Sequence, residues 1–98
     1  MEQFYTSGNW HVRSGSEEEF IKRWTGFVEA AKDKAHGRFF LVRQNDDSSH
    51  FVSMGIWNSR EDQDAWMSMP DFREAFAACS ELCDESHGGA YSLVTSVG

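Results

Sequence analysis

The stretch Arg38-Phe-Phe-Leu-Val-Arg-Gln-Asn-Asp-Asp-Ser-Ser-His-Phe-Val-Ser-Met-Gly-Ile-Trp57 decides the fold. Two β-rich runs, residues 38–44 and 50–57, flank Asn45-Asp46-Asp47-Ser48-Ser49, whose short polar side chains bond their own backbone and favour a turn. The pattern predicts a hairpin with a five-residue loop. On both runs apolar side chains point both ways: Phe39 and Leu41 against Phe40 and Val42, then Phe51 and Trp57 against Val52, Met54 and Ile56. An antiparallel sheet with one wet face shows a polar side, so both faces of this one are expected to be covered. Helices serve for one face, and a second copy of the chain is the simplest cover for the other.

Outward from the hairpin, residues 4–13 alternate, with Phe4, Trp10 and Val12 on one side and Tyr5, Asn9, His11 and Arg13 on the other, the period of a strand. Ser16 followed by Glu19 predicts a capping box and a helix start. Phe20, Ile21, Trp24, Phe27, Val28 and Ala31 form its buried stripe, and the helix is expected to run to about Ala35 and stop at Gly37. Ser59 opens a second helix, which Met69-Pro70 interrupts and restarts, because the residue before proline is pushed out of helical geometry. Phe72, Phe76, Cys79 and Cys83 then share one face. Residues 84–89 read as a polar loop and 90–97 as a last strand. The order is β-α-β-β-α-β, an α+β ferredoxin-like plan with a four-stranded antiparallel sheet.

The 98 residues suit one domain, 1–98. Nine Lys and Arg against sixteen Asp and Glu leave a net charge of −7, with the cations dispersed among acids. A phosphate binder needs a basic face, so nucleic acid and anionic membrane are not expected partners. No apolar run is long enough to cross a bilayer, and the N-terminus lacks the plan of a signal peptide. Cys79 and Cys83 sit four apart in a helical pattern, which suits two reduced buried thiols and a cytoplasmic setting. A zinc site would need two more ligands, so no metal is expected. His36 falls at a helix end, His50 at a strand start and His87 in a loop, each most simply solvated.

The segments Gly55-Ile-Trp-Asn-Ser-Arg-Glu-Asp62, Ala65-Trp66 and Met69-Pro-Asp-Phe-Arg-Glu-Ala-Phe76, with Val12-Arg-Ser-Gly-Ser-Glu-Glu-Glu-Phe20, resemble the antibiotic biosynthesis monooxygenase domain. That resemblance implies a dimeric α+β barrel. It also brings in a family that includes cofactor-free oxygenases turning polyketide phenols into quinones, heme degraders, and enzymes of small signalling carbohydrates.

By position, the quinone-forming members imply Trp57 at the end of the third strand and Arg73 in the last helix as catalytic residues. Their Asn and Tyr correspond to Ser53 and Gln63 here, so half of that site is present. Trp57 reads equally as a ring anchoring strand to helix, and Arg73 as a solvated or ion-paired residue. The heme degraders' Trp matches Trp66, but Phe76 stands at their His and Gly8 at their Asn, with Asn9 one residue away on the opposite strand face. Heme degradation is therefore not expected.

No Gly-rich phosphate loop, nucleophilic triad, flavin motif or nicotinamide motif is present. An oxygenase of this kind would work without a cofactor, taking electrons from an electron-rich phenol or enol after a base removes its proton. Trp57, Trp66, Phe72 and Phe76 are the expected walls, with Ser53 and Gln63 alongside. His11, or a water on Asn9, is the expected base and Arg73 the cation. The expected function is a cofactor-independent monooxygenase on a small aromatic or enolic metabolite. The other reading is a non-catalytic homodimer that binds a small ligand or supports a partner protein.

Overall fold

The computed structural model describes residues 3–32 and 37–98. Its elements are β1 (Phe4–Val12), α1 (Glu17–Ala31), β2 (Gly37–Arg43), β3 (His50–Trp57), α2 (Arg60–Ser68), α3 (Pro70–Ser80) and β4 (Cys83–Ser92). The strands form one antiparallel sheet in the order β2-β3-β1-β4. This is the ferredoxin-like arrangement, with the second helix of the plan split in two.

The split follows the chemistry of Met69-Pro70. Met69 is extended at φ −68° and ψ 132°, ending α2, and Pro70 starts α3 where its missing N–H is no loss. Ser59 caps α2 through its hydroxyl, which accepts from Asp62 N at 3.1 Å. The box expected at Ser16 does not form. Ser16 sits at φ −105° and ψ 7° and its side chain makes no capping bond, while the Glu19 carboxylate turns outward to Arg23 at 3.1 Å. Glu17 takes over the junction, accepting from Gly15 N at 2.8 Å and from Ser49 Oγ at 2.5 Å, which ties the start of α1 to the β2–β3 loop. The expected end of α1 at Ala35, and His36, lie outside the described residues.

The C-terminal reading needs correction. Residues 84–89 are not a loop but the body of β4, and Leu93 onward carries no strand. β4 pairs only with β1 and is the sheet's edge, where polar side chains and glycines cost little. That is why Asp84-Glu85-Ser86-His87-Gly88-Gly89 resembles a loop by composition.

The alternation along β1, buried at Phe4, Thr6, Gly8, Trp10 and Val12, sets the two faces. Helices cover one. On the other lie Phe40, Val42, Met54 and Tyr91, all exposed, so the apolar second face of the hairpin has no cover among the described residues. The core is two clusters. Trp10, Val12, Phe20, Phe51, Cys79 and Cys83 make one; Phe4, Ala31, Trp57 and Trp66 make the other. Cys79 and Cys83 are free and buried. Among the described residues no helix is long and apolar enough to cross a membrane.

Candidate functional site

Between the two clusters the helix-facing side of the sheet carries small residues. Leu41, Ser53, Gly8 and Gly88 form one cross-strand row, and Phe39, Gly55, Thr6 and Ala90 the next. Aromatic rows bound them, with Phe51 and Trp10 at one end and Trp57 and Phe4 at the other. Helices laid over such a surface rest on the aromatic rows and span the low middle. The result is a cavity of about 370 Å³.

Its floor includes Thr6, Gly8, Ser53, Gly55 and Gly88, and its walls Trp10, Trp24, Phe27, Trp66, Phe72 and Phe76. The rings are in mutual contact: Phe27 on Trp66 at 5.0 Å, Phe72 on Phe76 at 6.0 Å and Phe76 on Trp10 at 4.8 Å between centroids. Among the described lining residues there is no Asp, Glu, Lys or Arg. Two polar groups stand on the floor. Ser53 Oγ accepts from Trp10 Nε1 at 3.0 Å, and Thr6 Oγ1 accepts from Trp57 Nε1 at 3.2 Å.

The structure brings together Ser53, Trp66, Phe72 and Phe76 in this lining. Trp57 is fully buried and stands behind it, 5.4 Å from Trp66 between centroids. Arg73 is on the exposed side of α3, outside the lining. Gln63 is also outside it. Its Nε2 donates to Tyr5 O at 2.8 Å and Tyr91 O at 3.1 Å, so it fastens α2 across β1 and β4. Asn9 and His11 lie on the opposite face of the sheet, since Gly8 and Trp10 take the helix side and strand alternation turns their neighbours away. There His11 stacks on His50 at 4.3 Å, and the Asn9 amide oxygen contacts His50 Nε2 at 2.7 Å.

Thr6, Gly8, Trp10, Gly88 and His87 were not visible as lining residues in the sequence. The first three follow from the alternation of β1, which puts them on the side opposite Asn9 and His11. Gly88 and His87 were hidden by the reading of β4 as a loop.

The model of the family described as antibiotic biosynthesis monooxygenase matches residues 4–78. The chain belongs to this family. Among solved structures, this family member is similar to SnoaB, a cofactor-independent oxygenase from Streptomyces nogalater, in a mutant form. The TM-score is 0.83 and the identity 17%, over 97% of this chain and 96% of that one. A conserved protein from Methanosarcina mazei gives a TM-score of 0.82 at 16% identity, over 93% of this chain and 92% of that one. A protein from Shewanella oneidensis gives 0.79 at 15%, over 94% and 91%. At these identities the likeness speaks for the fold alone. No curated protein matches the chain in sequence.

Proposed function

We propose that this member of the antibiotic biosynthesis monooxygenase family is a cofactor-independent monooxygenase for a small aromatic or enolic metabolite bound between sheet and helices. The observation behind it is the cavity, an aromatic-walled space of about 370 Å³ with two hydroxyls on its floor. Such a space desolvates a planar substrate and holds it against polar groups that fix its orientation. Family membership supports monooxygenase-type chemistry, and the similarity to SnoaB, an oxygenase by its printed description, is consistent with it.

In the proposed reaction an activated C–H bond of the substrate breaks, its proton passing to a base. The resulting carbanion, delocalised as an enolate or phenolate, reduces dioxygen. A C–O bond forms, the hydroperoxide loses water, and a methylene becomes a carbonyl. One oxygen atom is retained and the other leaves as water, with all four electrons drawn from substrate carbon. Asn9 and His11 face away from the cavity. His87 is the register partner of Asn9 and shares that outward face, so the proton goes to a water in the cavity. Arg73 follows Phe72 by one residue, about 100° round the helix, and is the proposed cation at the rim. Trp57 acts by position, holding Trp66 and Thr6. The exposed apolar face of the sheet is covered, in this reading, by a second copy.

Oxygen uptake with a panel of polyhydroxylated aromatics tests the proposal. Turnover above the uncatalysed rate, lowered at least tenfold by Arg73→Ala, supports it. A lining without carboxylate, Lys or Arg also suits a ligand-binding protein that turns nothing over. Tight binding of an aromatic with no oxygen consumed favours that second reading.

A further inference from the structure

The two hydroxyls on the cavity floor are held in a defined hydrogen-bonding state. Ser53 and Thr6 are each more than nine-tenths buried, at 8% and 9% exposure. An indole N–H is a donor with no acceptor capacity, so Trp10 Nε1 and Trp57 Nε1 oblige these oxygens to accept. Each hydroxyl has one hydrogen left to give. Neither donates a hydrogen bond among the described residues, and both line the cavity. The residues are diagonal neighbours on one sheet face, since Thr6 pairs with Gly55 and Gly8 with Ser53, a placement that sets side chains about 7 Å apart.

Resting on the reading of the cavity as the ligand site, we infer that Ser53 and Thr6 select an uncharged planar ligand carrying a carbonyl-type acceptor oxygen on the edge that meets the sheet. An acceptor satisfies a donor that is otherwise left bare in an apolar space. A hydrocarbon leaves it bare, and a ligand that offers only an N–H there meets two donors head to head. The absence of carboxylate, Lys and Arg from the described lining goes with a neutral ligand, because an ion would enter with no counter-charge. The aromatic walls accept the flat faces of such a molecule while the floor reads its edge.

Equilibrium dialysis of the full chain against three isosteric tricycles tests this: fluorene, which has no polar group; 9-fluorenone, which adds an acceptor; and carbazole, which offers a donor. The expected order is 9-fluorenone first, by about five- to tenfold over fluorene, with carbazole weakest. Thr6→Val should abolish much of that preference. Ser53→Cys, which keeps volume and a weak acceptor for Trp10, should reduce it too, and it decides the matter if Thr6→Val does not fold. Equal binding of fluorene and 9-fluorenone by the wild type, or an undiminished preference in the folded variants, overturns the inference and leaves the cavity as a ligand site. Failure of all three compounds to bind overturns both.

Discussion

Gly8 and Gly88 stand directly opposite each other on β1 and β4, on the side of the sheet that the helices cover. Neither has a side chain to raise the floor, and the ring of Phe76 comes down over Gly88. A Cβ on Gly8 would lie 2.6 Å from Ser53 Oγ and from Trp10 Nε1, and one on Gly88 3.1 Å from Phe76 Cε2. Gly8→Ala should therefore overpack the floor and cost about 1–3 kcal/mol, read as a fall in Tm. Gly88→Ala should cost less, since the Phe76 ring edge has only a few tenths of an ångström to yield. Gly88→Leu should occupy the cavity and lower aromatic-ligand affinity at least tenfold.

Gln63 fastens α2 to the register pair Tyr5 and Tyr91 rather than lining the cavity. Gln63→Leu removes both hydrogen bonds and should lower unfolding free energy by about 1–3 kcal/mol in a urea titration, with ligand affinity in the folded protein unchanged. A selective loss of affinity at wild-type stability would return Gln63 to the binding site.

Burial, reinforced by Cys83, pushes the Cys79 thiol from an ordinary value of 9.0 up to about 11, and burial raises Cys83 as well. Both thiols should label slowly at pH 8 without denaturant, because little thiolate is present to react. A raised thiol pKa favours the folded state up to the unfolded value, and that contribution is lost as pH climbs through the folded value. Stability should thus decline between about pH 9 and 11, and Cys79→Ser should flatten that decline in a pH series of thermal melts.

The Glu17 carboxyl is held below its ordinary value first by the hydrogen bond from Ser49 and then by backbone N–H groups at the start of α1. A lowered carboxyl pKa contributes stability above its unfolded value and loses it as pH falls through the folded one. Ser49→Ala should then narrow the gap between stability at pH 7 and at pH 3, with little change at pH 3 itself. An identical loss at both values would assign Ser49 a packing role only.

Phe40 and Met54 are register partners on the uncovered face. If a second copy covers them, light scattering at micromolar concentration should give twice the chain mass, and Phe40→Lys with Met54→Glu should give the monomer. A wild-type monomer across the concentration range would remove the dimer from the proposal.

The reach of the sequence differs from element to element. β1, the hairpin strands and the break at Met69-Pro70 follow from local patterns, because alternation and the geometry before proline act over a few residues. β4 did not, since an edge strand has no local need of apolar or β-branched residues; its ladder to β1 comes from a distant partner. The capping box failed for a related reason, as Arg23 competes for Glu19 and Ser49 for Glu17.

At the candidate site, Ser53 and Trp66 were legible through the family's motifs, and Phe72 and Phe76 because large rings at helical spacing must face the sheet. Whether they enclose space depended on Gly8, Gly55, Gly88 and Ala90 meeting in neighbouring rows, a property of strand register that no single segment contains. The sequence alone thus determined the family, the strand and helix order and the buried stripes, which are set by periodicity and near-neighbour sterics. Tertiary structure alone decided that Gln63 became a clasp and that two tryptophans leave Ser53 and Thr6 as donors. Each of these depends on at least one pairing between residues more than 40 positions apart, where the partner, not the local chain, sets what a side chain can do.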